Sequence, residues 1–120
     1  MNNLNRLKKR KQFNYIHNKG KAISGEYMTL KYVETKSHTY KVGFSVSKKI
    51  GKAVVRNKAK RRMKESFRTL KLNIPQNYYY VLVAKKEIAL ATYQDINEDI
   101  IKIMSNFTKW RKYLILSPFR

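Results

Sequence analysis

Cysteine is absent from the 120-residue chain, which excludes disulfide frameworks, thiolate metal sites and cysteine nucleophiles. Proline and glycine number only 2 and 4, and neither a linker nor an internal repeat is visible, so one domain with short connections is expected over residues 1–120. Long apolar runs are missing too. None approaches the length that spans a bilayer, and no signal-peptide pattern opens the chain, so a cytoplasmic protein is expected. Negative charge is scarcest of all: 7 Asp and Glu stand against 28 Lys and Arg, a formal net charge of +21. With 42% hydrophobic residues the chain can still bury a core, so this charge does not imply disorder.

The excess is uneven. Residues 1–70 hold 20 basic and 3 acidic residues, whereas residues 71–120 hold 8 and 4. No acid precedes Glu26 and none falls between Glu34 and Glu65. A chain that needed only solubility would intersperse both signs. Confining the acids leaves a cationic surface open to a polyanion, of which nucleic acid is the commonest. A membrane-surface role is disfavoured, because neither a lipidation motif nor a strongly amphipathic terminal anchor is present.

Hydrophobic spacing predicts a helix over 9–18, with Phe13, Ile16 and His17 on one side and a stop at Gly20. Strands are predicted over 27–34 and 39–47, joined by a polar Thr35–His38 turn, and a third over 78–84 after the breakers Pro75 and Asn77. A long basic helix is expected over 53–70. A last helix starts near Thr92, where Thr92 and Asp95 have capping-box spacing, and Ile96, Ile100, Ile103, Phe107, Trp110 and Leu114 form its core stripe. The residues alone therefore give α, β, β, basic α, β, α, an α+β sandwich with helices on a small sheet.

Two segments carry more than architecture. Alternation along 39–47 puts Tyr40, Val42, Phe44 and Val46 on one face and Lys41, Gly43, Ser45 and Ser47 on the other. The second set is small and polar, which reads either as a trough with Lys48 and Lys49 at its rim or as an ordinary solvated face. In the basic helix, at about 100° per residue, Ala59, Met63, Phe67 and Leu70 form one stripe and Asn57, Lys60, Arg61, Lys64 and Arg68 another, with Arg56 at the border. Like charges one turn apart repel by about 0.2–0.5 kcal/mol per pair, and only Glu65 is near enough to relieve them. Phosphates would relieve the rest, arginine gripping them through two N–H groups at once, while the Asn57 amide can both donate and accept.

The ordered run Ser45-Val46-Ser47-Lys48-Lys49, Gly51, Ala53-Val54, Arg56-Asn57, Lys60-Arg61 and Lys64-Glu65 closely resembles the signature of the bacterial ribonuclease P protein subunit, and Arg6-Leu7-Lys8-Lys9, Phe13 and Gly20 match that family's opening. The resemblance covers nearly the whole chain. It implies an αβββαβα-like single-domain α-β sandwich, ribosomal protein S5 domain 2-like, whose small mixed sheet contains a left-handed βαβ crossover, an exception to the usual hand.

It also implies a role as the protein subunit of an endoribonuclease whose RNA subunit performs the chemistry, with Mg2+ held by that RNA and by phosphates rather than by protein side chains. Arg56, Asn57, Lys60, Arg61, Lys64 and Arg68 would face the catalytic RNA. Phe13, His17, Ser47, Lys48, Lys49, Lys85 and Lys86 would line or rim a cleft for the single-stranded 5′ leader of precursor tRNA. The implied particle is one RNA with one protein, further pairing left open. His17 stands where relatives usually carry a second aromatic, Lys31 where some carry tyrosine, and Lys64 where arginine is more usual.

Rival chemistry finds less support. Asp95, Glu98 and Asp99 are the best carboxylate cluster for a metal nuclease, but acids in a first helical turn already suit the helix dipole. His17 and His38 do not make an acid–base pair, and Ser45 and Ser47 lack an activating relay. Tyr78, Tyr79 and Tyr80 read as strand packing rather than a base-stacking platform. No catalytic and no metal-binding residue is expected. The alternatives that share the charge are a structural, ribosomal-type RNA-binding protein without a role in catalysis and a DNA-compacting protein.

Overall fold

The computed structural model describes residues 5–70 and 74–116, the side chains of 110–116 excepted. Three helices and four strands follow the order α1 (Arg10–Lys19), β1 (Lys21–Ser24), β2 (Met28–Glu34), β3 (Lys41–Ser45), α2 (Ala53–Arg68), β4 (Tyr78–Ala84) and α3 (Tyr93–Leu116). Single 3-10 turns, Lys48–Ile50 and Lys86–Leu90, follow β3 and β4. The fold is α+β, in the expected αβββαβα order.

The sheet order is β1-β2-β4-β3. β1 and β2 pair antiparallel, as do β2 and β4, while β3 runs parallel to β4. Parallel neighbours cannot be joined by a tight turn, so the chain leaves β3, runs through α2 and returns as β4. β4 is thus one of the two inner strands, beside β2, and contributes to clusters on both faces. Tyr80 and Leu82 enter the main core with Met28, Leu30, Val42 and Phe44 from the sheet, Met63 and Phe67 from α2, and Ile96, Ile100, Ile103 and Phe107 from α3. Val81 joins a smaller cluster on the opposite face with Leu7 and Ile16, flanked by Phe13, Val33, Tyr79 and Val83. α1 therefore covers one face of the sheet, and α2 with α3 the other. Each fully buried Leu, Ile or Met contributes about 1.5–3 kcal/mol.

The structure departs from the sequence reading at particular places. β1 escapes periodicity because it is a four-residue edge strand with one half-buried apolar residue, Ile23. The strand expected over 39–47 is shorter at both ends. Thr39 is held in a turn, its N–H donating to Ser37 Oγ at 3.2 Å, and beyond Ser45 the chain winds into the first 3-10 turn. The α3 start agrees: Asp95 N–H donates to Thr92 Oγ1 at 3.1 Å and Thr92 N–H to Asp95 Oδ2 at 3.0 Å, a closed capping box. The side chains of Trp110 and Leu114, expected to extend the α3 stripe, lie outside the described residues.

The acids of α3 have structural work. Asp99, only 5% exposed, accepts the Glu26 N–H on Oδ1 at 2.8 Å and the Tyr27 N–H on Oδ2 at 2.9 Å, tying the β1–β2 turn to α3. Gly25 is required beside it, since a Cβ there would overlap Ile103 Cδ1 and both carboxylate oxygens. Among the described residues, no helix is long and apolar enough to cross a membrane.

Candidate nucleic-acid interface

The α2 helix divides as its wheel predicts. Ala59, Met63 and Phe67 are buried, together with Ser66, while Asn57 and Arg61 are exposed. Arg62 leaves the basic face altogether, its Nη1 donating to the Ala91 carbonyl at 2.8 Å. Asn57, Lys60, Arg61, Lys64 and Arg68 converge on a single open concavity of about 460 Å3. Five of the six residues expected to face RNA are thus brought together. Arg56 is not among them: it sits in the first turn and its Nε donates to the Gly51 carbonyl at 3.1 Å. Arg6 completes the concavity from outside the helix. The basic opening of the chain hinted at it, but only the tertiary fold could bring it to α2.

One acid tempers this cluster. Glu65 lies on its wall and receives Arg68 Nη2 on both carboxylate oxygens, at 2.6 and 2.7 Å. Being solvent-exposed, the pair is screened by water and contributes little to stability. Across the concavity Lys64 shows the cost of gathering like charges. Burial first, then Lys60 and Arg6, push its ammonium below the ordinary lysine value. A bound phosphate would reverse the second cause, which is what an anion site does to its cations.

Arg6, Lys60 and Lys64 also form a wall of a second, adjoining concavity of about 280 Å3, completed by Lys8, Phe13 and Gly43 among others. Here the trough reading needs correcting at one residue. Gly43 is not open: it is buried, and a Cβ on it would overlap Phe13 Cζ and Cε1. The missing side chain makes room for the Phe13 ring, which places that aromatic at the rim of the cleft beside the α2 cations.

The other residues expected at the leader site are spread along the same face of the sheet and past its end. His17 is exposed one turn beyond Phe13, and Lys31 Nζ donates to its Nδ1 at 3.0 Å and to its carbonyl at 3.3 Å. Lys31 stands on β2 between Ala22 of β1 and Val81 of β4. Ser47, Lys48, Lys49 and Lys86 are exposed beyond the C-terminal ends of the parallel strands β3 and β4, where the two 3-10 turns touch. Lys85 is already engaged: its Nζ donates to Ser24 Oγ at 2.6 Å and to the Gly25 carbonyl, bracing the β1–β2 turn. Phe13 and the α2 cations thus share one cavity. His17, Ser47, Lys48, Lys49, Lys85 and Lys86 do not line it.

Comparison with known proteins identifies the family. The family model described as Ribonuclease P matches residues 1–108. The chain belongs to the ribonuclease P protein family. The ribonuclease P protein component of Caldanaerobacter subterraneus is 40% identical over 84% of this chain and 87% of its own length, and that of Alkaliphilus oremlandii is 32% identical over 87% and 91%. Among solved structures, the Staphylococcus aureus RNase P protein superposes with a TM-score of 0.76 at 28% identity, covering 84% of this chain and 93% of that one. The Thermotoga maritima RNase P protein gives 0.72 at 29% identity, covering 81% and 92%. As a ribonuclease P protein component, the chain is part of an endoribonuclease holoenzyme and has an RNA partner.

Proposed function

We propose that the α2 concavity docks on the RNA subunit of ribonuclease P while the adjoining cleft holds the single-stranded 5′ leader of precursor tRNA, in the cytoplasm. The observation that carries this reading is the shared wall: Arg6, Lys60 and Lys64 line both concavities, so one set of cations can touch two RNA segments at once. Arg61, Arg68 and Asn57 engage phosphates and an RNA edge on one side. On the other, the Phe13 rim stacks an unpaired base while Lys8 and the shared cations neutralise its backbone. His17, Lys48, Lys49 and Lys86 extend the positive track, and Lys85 holds the β1–β2 turn beside it. Ser47 adds a hydroxyl at the strand end.

Apart from Glu65, whose carboxylate Arg68 already engages, the α2 face offers cations and an amide, which suit phosphate and repel a metal ion. Mg2+ would be held by the RNA and its phosphates rather than by protein side chains, and there would supply the activation of water that phosphodiester hydrolysis needs. The protein's contribution is to screen phosphate repulsion and to position the leader relative to the scissile bond.

Cleavage of precursor tRNA by the cognate RNA subunit at low Mg2+, with and without this protein, tests the reading. Faster cleavage and tighter precursor binding with protein are expected. Unchanged cleavage, with the protein instead co-sedimenting with a ribosomal subunit, would favour the ribosomal-type alternative.

A further inference from the structure

Tyr78, Tyr79 and Tyr80 are consecutive in β4, and strand alternation separates them. Tyr78 and Tyr80 pack edge-on against Phe107 in the main core, with ring centroids 5.1 and 5.5 Å away. Tyr79 points to the opposite face, where its strand neighbours in register are Val33 of β2 and Lys41 of β3. That row is not wholly covered by α1. A groove of about 350 Å3 remains between the helix and the sheet, floored by Val33 and Tyr79 and walled by Lys11 and Tyr15. Its lining is mainly apolar, and the Tyr15 ring on its helical wall is 58% exposed, open to a ligand. Lys11 lies on the helical wall, and Lys41 Nζ stands 5.8 Å from the Tyr79 ring centroid. One acid is present, Glu34, whose Oε2 accepts the Asn77 side-chain amide at 3.4 Å.

This groove is on the other side of α1 from Phe13. Phe13 and Lys8 line the cleft, Lys11 and Tyr15 line the groove, and the exposed Lys9 and Arg10 lie between them at the start of the helix. The two are therefore linked by a continuous run of cations. An aromatic surface flanked by ammonium groups fits an unpaired nucleotide, its base stacked on the ring and its phosphates on the lysines. The Glu34 carboxylate, an acceptor only, suits the exocyclic amine of adenine.

We infer that the Tyr15–Tyr79 groove is a second single-stranded RNA site, separate from the Phe13 cleft, which stacks one unpaired base between α1 and the sheet. It needs only that the protein binds RNA, not that it takes part in cleavage.

The test is a fluorescence-anisotropy titration of the full-length protein with fluorescein-labelled oligoadenylate at low salt, alongside NMR of the tyrosine and phenylalanine ring protons. Tyr15→Ala should weaken binding about five-fold or more, Tyr15→Phe should bind as the parent protein does, and the loss should recur at similar size in a Phe13→Ala background. In the unmutated protein, the Tyr15 and Tyr79 ring protons should shift on titration, a readout that does not depend on any variant folding. Three results would overturn the site: Tyr15 and Tyr79 resonances that stay fixed while Phe13 moves, a Tyr15→Phe loss as large as that of Tyr15→Ala, or a Tyr15-dependent protein dimer that oligoadenylate does not compete away. Failure of the precursor-cleavage assay would leave these binding results standing, so the two readings fail separately.

Discussion

The ring of Phe13 rests on Gly43, and nothing larger than hydrogen fits between them. The contact spans α1 and β3, so the glycine fixes where the aromatic rim of the cleft sits. Gly43→Ala should force the ring off the strand at a cost of about 1–3 kcal/mol, as over-packing usually does. Urea denaturation would read that cost. Discrimination of precursor from mature tRNA should fall to the level of Phe13→Ala, while affinity for the RNA subunit stays near the parent value. A Gly43→Ala protein that keeps its preference for precursor would show that the ring is not what holds the leader.

Arg61 and Arg62 are adjacent, yet their guanidinium groups do different things. Arg61 lines the open concavity, whereas Arg62 is tied to the Ala91 carbonyl, just after the second 3-10 turn. Each phosphate contact contributes about 0.7–0.9 to the slope of log affinity against log salt. Arg61→Ala, and likewise Arg6→Ala, should therefore lower that slope by roughly this amount at unchanged melting temperature. Arg62→Ala should leave the slope alone and lower stability by about 1.5–3 kcal/mol, the range for a hydrogen bond involving a charged group. Salt-dependent titrations and thermal melts on the same samples separate the two.

Lys64 has a depressed ammonium, held down by burial and by Lys60 and Arg6. Its native-state value lies below that of the unfolded chain, so at lower pH, where both states are charged, folding carries a penalty. As pH rises through the native value the folded protein sheds the proton first and that penalty is relieved, up to the ordinary lysine value. RNA binding runs the other way, because phosphate favours the charged form. Affinity should accordingly fall as pH rises through the native Lys64 value, with proton uptake on binding just above it. Lys64→Arg keeps its charge throughout and should flatten this alkaline limb. Calorimetric titrations in buffers of different ionisation enthalpy, together with the NMR titration of the Lys64 side chain, check both signs.

What the sequence disclosed was local. The α2 wheel separated Met63 and Phe67 from Asn57 and Arg61 because 3.6-residue periodicity is set within one helix. The Thr92–Asp95 box was readable because both partners lie within four residues. Contacts between distant segments were not readable. Nothing in the order of residues says that Arg6 joins the α2 concavity, that Phe13 fills the space over Gly43, or that Asp99 receives the Glu26 and Tyr27 amides. Arg56 was ambiguous for a geometric reason: at the border of the face, in the first turn, its direction was decided by the Gly51 carbonyl. Tyr79 was grouped with Tyr78 and Tyr80 by composition, although a period of two sends it to the other side of the sheet.

Ser66 sits in the α2 stripe among apolar neighbours, fully buried, and its Oγ has no hydrogen-bond partner among the described residues. A hydroxyl desolvated without compensation costs about 1–3 kcal/mol, and serine is a slightly poorer helix former than alanine. Its backbone carbonyl is already used by Thr69 Oγ1 at 2.9 Å, a bond that survives side-chain truncation. Ser66→Ala removes only the unpaired oxygen and leaves a void too small to offset the gain. The variant should therefore be more stable by about 1 kcal/mol, raising the melting temperature by a few degrees. Because Ser66 faces the core, RNA affinity and its salt slope should not change. Urea denaturation beside an RNA titration decides the matter: a less stable Ser66→Ala protein would mean that the hydroxyl is satisfied after all, and altered RNA binding would mean that α2 had shifted.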